Sequence, residues 1–289
     1  MPDPTTLRSP ARLGALLVLL CGAAGAQAPS PVFFDAASSG DTGRLVQLLD
    51  AGADPGARSA DGDTALHLAA GRGREDAVEL LLDRRANIEA RDRDGATPLH
   101  HAAIAGAAGT VARLLRRGAR VDARNDAGET ALFVAAEYAR LDVARTLLDA
   151  RADPNACTAH GETPLHAAAM SGGPRLVALL LERRAEVDAV NRGGEAPLFW
   201  AAATGALDST RVLVRAGARL DWQDASGNTA LHGAADGGHL DVVEFLLAVG
   251  ARRAVRNAAG QTPADLARAR GYTDIAAALE RATAPAQGR

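Results

Sequence analysis

The chain is expected to fold as an all-α repeat solenoid of about eight stacked helix pairs, and three observations in its 289 residues predict this. A Thr-Ala/Pro-Leu-His tetrapeptide or close variant returns every 33 residues, a glycine precedes each copy by two positions, and an apolar run follows. A fixed period of this size marks units that bury apolar faces only against their neighbours. Such rods usually bind other macromolecules along one face.

The copies begin at Thr64, Thr97, Thr130, Thr163, Ala196, Thr229 and Thr262, and the glycines are Gly62, Gly95, Gly128, Gly161, Gly194, Gly227 and Gly260. Thr opens a helix because its hydroxyl accepts from the orphan N–H groups of the first turn. Pro at the next position, as in Thr97-Pro98, needs no N–H partner there. Small residues such as Leu68-Ala69-Ala70 or Ala167-Ala168-Ala169 keep this first helix thin. The second run, such as Val242-Val243-Glu244-Phe245-Leu246-Leu247, spaces its apolar residues three and four apart, which makes one buried stripe. Each unit closes on a turn such as Gly118-Ala119-Arg120.

This pattern resembles the ankyrin repeat over residues 31–282. The resemblance implies L-shaped units with stacked helix pairs and projecting β-hairpin loops. It also implies that partners meet the hairpin tips and the exposed side of the first helix. The first unit keeps Ala36-Ala37 and Gly40 but has Phe34-Asp35 near its helix start. The last puts Asp265, Arg268 and Arg270 where inner units are small or apolar. Both are expected to cap the end faces of the stack.

Some positions depart from the pattern. Ala139 stands where Gly73, Gly106 and Gly172 turn between helices, and Arg85, Arg151 and Arg184 stand where Gly52, Gly118, Gly217 and Gly250 follow the second helix. If those turns need positive φ, each costs on the order of 1 kcal/mol. Ala196 replaces the capping Thr, and its unit carries Phe199 instead of His, so residues 130–205 are the least regular stretch.

Residues 1–26 read as a secretory signal peptide. Arg8 and Arg12 precede the apolar run Leu13–Leu20, and Ala24-Gly25-Ala26 supplies small residues before a cleavage point at Gln27. The run is shorter than the roughly 20 residues of a membrane span, so no stable span is expected in the mature chain. Residues 27–30 form a short linker and 283–289 a disordered tail. The mature protein is therefore expected in the periplasm or outside the cell, as a monomer. Only Cys21 and Cys157 occur, and Cys21 leaves with the leader, so no internal disulfide forms. Cys157 is expected to be a small turn residue, with intermolecular pairing or redox sensing as the alternative. Every basic residue is Arg, which together with abundant Ala and Gly suggests a GC-rich, bacterial source.

The formal net charge of −3, without a basic stripe, argues against nucleic acid as the ligand. No nucleophile motif, phosphate loop, dinucleotide fingerprint or paired-Cys spacing is present. His67, His100, His166 and His232 share one repeat position, so that adjacent copies are about 8–10 Å apart, too far to share an ion. The resemblance makes this His a structural partner of the Thr; only His160 lacks such an explanation. Asp61, Asp63, Asp94, Glu129 and Glu162 are expected to be solvated hairpin carboxylates. No catalytic residue, metal ligand or cofactor is expected.

What remains is recognition of a protein partner. Ile104, Tyr138 and Met170 come from consecutive units at positions expected to be exposed, which stacking would gather into an apolar patch. Its charged surroundings are expected from Arg91, Arg93, Arg124, Asp126, Glu129, His160, Glu162 and Arg192. An apolar centre with a polar rim is the anatomy of a binding hot spot. Trp200 falls at the packing position of Leu68, while Trp222 is compatible with core or surface. The expected function is non-enzymatic protein binding. Alternatives are an exported effector, a protective accessory of a neighbouring enzyme, or a small-ligand binder or enzyme using the hairpin carboxylates and His160.

Overall fold

In a computed structural model, residues 31–171 and 173–281 are described; the expected leader, linker and tail and the turn glycine Gly172 lie outside them. The described residues form sixteen helices in eight pairs. The pairs are α1 (Pro31–Ser39) with α2 (Thr42–Asp50), α3 (Ala65–Gly71) with α4 (Glu75–Asp83), α5 (Pro98–Ala105) with α6 (Ala108–Arg116), and α7 (Ala131–Glu137) with α8 (Leu141–Asp149). They continue as α9 (Pro164–Met170) with α10 (Pro174–Glu182), α11 (Pro197–Ala203) with α12 (Leu207–Arg215), α13 (Ala230–Gly237) with α14 (Leu240–Ala248), and α15 (Pro263–Arg270) with α16 (Thr273–Glu280). Odd-numbered helices stack in one row and even-numbered helices in another.

Local chemistry explains the row of short helices. Thr64 caps α3 reciprocally with His67, and Thr262 does the same with Asp265. The alanine pairs Ala69-Ala70, Ala102-Ala103, Ala135-Ala136, Ala168-Ala169, Ala201-Ala202 and Ala234-Ala235 are wholly buried between neighbours, where a larger side chain would force the helices apart. With the Leu and Val stripes of the second helices they form one continuous core from Phe33 to Leu279. The end units behave as caps. Phe33 and Phe34 fill the first pair, and Arg268 is exposed where the inner units bury an alanine.

The outer helices are laced together by ion pairs between units. Arg84 reaches Asp50 at 2.8 Å, Arg113 reaches Glu75 at 2.7 Å, and Arg183 reaches Asp149 at 2.8 Å. Exposed pairs of this kind are worth well under ~1 kcal/mol each, so the apolar core carries the cohesion.

The loops are very short hairpins: among the described residues they form no strand, only isolated antiparallel bridges, Arg58 with Thr64 and Arg124 with Thr130. The cause lies in the first loop side chain. Asn125 N–H donates to Glu129 O (3.0 Å), but the returning Glu129 N–H donates to Asn125 Oδ1 (2.9 Å) instead of to backbone. The same diversion occurs at Asp92, Asn191, Asp224 and Asn257. The ladder therefore does not extend beyond an isolated bridge. The spare tip groups bond along the stack: Asp126 N–H to Asp94 O, Ala159 to Ala127, Arg192 to His160, Ala225 to Gly193 and Ala258 to Ser226, at 2.8–2.9 Å. This explains the glycine before the tetrapeptide at Gly128, Gly161, Gly194 and Gly227, where the next tip's backbone stands in the way of a Cβ. Gly128 has φ +80°, and a Cβ there would stand 2.8 Å from the Ala159 nitrogen of the next tip.

Arg85, Arg151, Arg184 and Ala139 do adopt positive φ, at +64°, +66°, +68° and +53°. They carry the left-handed strain expected of non-glycine residues.

Candidate functional site

The histidine ladder is a stapling device. In each of the four Thr-His units the His Nδ1 accepts from its own Thr N–H at 3.1 Å. This leaves Nε2 to donate to a carbonyl 29 residues onward in the next unit: Ala96, Glu129, Glu195 or Gln261, at 3.0–3.1 Å. Burial holds all four imidazoles below their ordinary pKa, and His67, further repelled by His101, falls to about 4. They are neutral structural groups whose second, inter-unit bond the sequence pattern did not reveal.

The loop arginines form a second ladder. Arg58 donates to Arg91 O at 2.6 Å, Arg91 to Arg124 O at 2.9 Å, and Arg124 to Cys157 O. Arg91 also pairs with Asp126 at 2.6 Å, and Arg93 donates to Ala60 O. Arg91, Arg93, Arg124 and Asp126 are thus exposed but already engaged between units. His160 and Arg192 are exposed, and their backbones join the tip-to-tip bond. Cys157 is exposed and free.

The expected apolar residues are at the surface: Ile104 is 39%, Tyr138 48% and Met170 39% exposed. They end three consecutive helices, α5, α7 and α9, which are tied at that end. Arg140 Nε donates to Ile104 O at 3.0 Å, and Ser171 Oγ to Ala136 O at 3.1 Å. The register adds a residue that was not among the expected rim. Glu137 holds the repeat position of Ile104 and Met170, so a carboxylate interrupts the apolar row. Partial burial, with Glu129 and Glu162 nearby, pushes the Glu137 carboxyl above its usual range. The rim at this point is acidic.

The two tryptophans are structural. Trp200 packs on the core and donates to Glu195 at 2.8 Å, and Trp222 donates to Gly194 O at 2.7 Å beneath the Arg219 guanidinium. Gly233, at the repeat position of Trp200, leaves a shallow cleft of about 360 Å³ lined by Phe199, His232, Asp236 and Leu266.

The expectation that the hairpin carboxylates are simply solvated fails at Asp63, whose side chain is 17% exposed. Nearby, His101 Nε2 lies 2.7 Å from Asp92 Oδ2 and 3.7 Å from Asp63 Oδ1. Burial raises the Asp63 carboxyl, only partly offset by His101. These three residues bring metal-ligating atoms within 4.8 Å of one another, although no metal ligand was expected from the sequence. The signal was available: Asp63 and Asp92 are separated by the 29 residues that also separate His67 from its acceptor Ala96.

Among the described residues no helix is long and apolar enough to cross a membrane. No curated protein gives a significant match to the chain. The family model for ankyrin repeats (3 copies) matches residues 33–125, 76–157, 103–191, 132–224 and 198–284 in overlapping register. Ankyrin repeats are generally protein–protein interaction modules and typically non-enzymatic. With its 33-residue period, its stacked helix pairs and this match across nearly the whole array, the chain belongs to the ankyrin-repeat family.

Proposed function

We propose that this chain is an exported, non-enzymatic binding protein that holds a protein partner against the ends of α5, α7 and α9. The exposure of three large apolar side chains, Ile104, Tyr138 and Met170, on three consecutive tied helices carries this reading. Exposed clusters of this kind mark interaction sites when rimmed by polar residues. Tyr138 is the anchor, because an aromatic ring buries much area at small entropic cost and its hydroxyl finds a partner. Glu129, Glu137 and Glu162 select a partner that sets a cationic side chain beside an apolar one. Seating that cation would relieve the mutual repulsion of the three carboxylates. Export rests on residues 1–26.

The test is a crosslinked pull-down from the exported fraction, followed by affinity measurement with the identified partner. Tyr138→Ala should weaken binding at least tenfold and leave the thermal unfolding midpoint nearly unchanged. Equal affinity in the two proteins would refute the site.

A further inference from the structure

We propose that Asp63, Asp92 and His101 form a binding site for a divalent transition-metal ion of the zinc class, clamping the second helical unit to the third. The geometry is close to that of a bound ion. Zinc held at about 2.0–2.2 Å by oxygen and nitrogen ligands sets its ligand atoms roughly 3.4 Å apart. The His101 Nε2 separations of 2.7 and 3.7 Å from the two carboxylates bracket that value. The three ligand atoms all lie within 4.8 Å of one another, so side-chain rotation alone brings them onto one ion, which replaces the His101–Asp92 hydrogen bond.

The charge balance points the same way. Asp92 is already satisfied: Oδ1 accepts from Asp94 and Ala96 N–H at 2.9 and 2.8 Å, and Oδ2 faces His101. Among the described residues the Asp63 carboxylate accepts no hydrogen bond, and the one basic side chain beside it is the imidazole it shares with Asp92. Asp61 and Asp94 add negative potential at Asp63. Elsewhere in the chain arginines neutralise carboxylates across units, but here the nearby Arg93 donates to Ala60 O. One imidazole, whatever its protonation state, carries too little charge to balance two half-buried carboxylates, whereas a divalent ion does. The imidazole favours zinc, cobalt or nickel over calcium and magnesium.

Support for His101 comes from beneath. The His67 ring meets it edge-on, with centroids 4.9 Å apart, and is fixed by Thr64 and Ala96 O, so His67 orients the ligand without joining it. The position is also singular in the repeat: other units have Leu68, Val134, Ala167, Trp200, Gly233 and Leu266 there. Three protein ligands leave one coordination position for water or for a ligand atom supplied by a partner.

The experiment is titration of the metal-free chain with zinc alone at neutral pH, followed by calorimetry, with cobalt absorption as a spectroscopic check. One ion should bind per chain and raise the thermal midpoint. His101→Leu, which restores a residue native to that position, and Asp63→Asn, which keeps shape, should each weaken binding at least tenfold. His160→Ala should bind as the parent does. Absence of one-to-one binding, or unchanged affinity in His101→Leu with a normal melting curve, would overturn the site. Dependence on His160 would overturn it as well.

Discussion

Arginine in a left-handed turn is a measurable strain, and three copies of it stand in this stack. Arg85, Arg151 and Arg184 hold φ of +64° to +68°, where Gly52, Gly118, Gly217 and Gly250 hold +91° to +100° in equivalent turns. A Cβ built on those glycines meets nothing within 4 Å, so the penalty for a side chain there is conformational rather than steric. Non-glycine residues pay about 1–2 kcal/mol in this region. Glycine gives back roughly 0.5–1 kcal/mol in the unfolded chain. The net gain from Arg→Gly is then about 0.7 kcal/mol per site. Among the described residues no side-chain hydrogen bond or ion pair is lost at Arg85, Arg151 or Arg184, and the Arg184 carbonyl that accepts from Asn155 at 3.1 Å is kept. The three sites share no partner, so their effects should add to about 2 kcal/mol. In a chain of this size that is a rise of roughly 5 °C in the unfolding midpoint. Urea and thermal unfolding of the triple variant should show it, with an unchanged denaturant slope. The reverse change, Gly118→Arg, should cost as much as one site gains. A triple variant no more stable than its parent would refute the reasoning.

Two further changes test the core and the histidine ladder. Thr110 Oγ1 is buried without a hydrogen-bond partner among the described residues, at a position where other units have Val143 and Val242. Thr110→Val should therefore stabilise by about 1 kcal/mol, read as a shift of the urea midpoint. The ladder imidazoles are depressed chiefly by burial, so below pH 6.5 the unfolded chain takes up protons that the fold refuses. Stability is then full above about pH 6.5 and falls as pH drops toward about 4, the value of His67, with His67 alone contributing on the order of 3 kcal/mol. His166→Phe, the residue found there as Phe133 and Phe199, should flatten that loss in denaturation curves taken across the window; an unchanged slope would count against it.

The fold was legible because each unit repeats its instructions: Thr for the helix start, paired alanines for close approach, glycine at the tip. Positive φ at Arg85 and Ala139 could be inferred by alignment with the glycines of other units. The turns were less legible. That Asn125 and Asp92 would divert the returning N–H, keeping the hairpins too short for a strand, depends on side-chain geometry. The Arg58–Arg91–Arg124 series looked like free surface charge because its acceptors are carbonyls of the next unit. Exposure of Ile104, Tyr138 and Met170 was readable, whereas the part played by Glu137 emerged only when its carboxylate was placed beside Glu129 and Glu162. The Asp63, Asp92 and His101 cluster joins residues of two units and needed the stacking offset to be seen.

A photocrosslinking amino acid placed at Tyr138, and in a second protein at Arg175 on the opposite helix row, would show directly whether the ends of α5, α7 and α9 hold a protein. In an extract of the native source, position 138 should yield one discrete adduct that excess unlabelled chain competes away and the Tyr138→Ala chain does not, with position 175 yielding none. The same adduct from both positions, or from 175 alone, would place the partner elsewhere and contradict the proposed site.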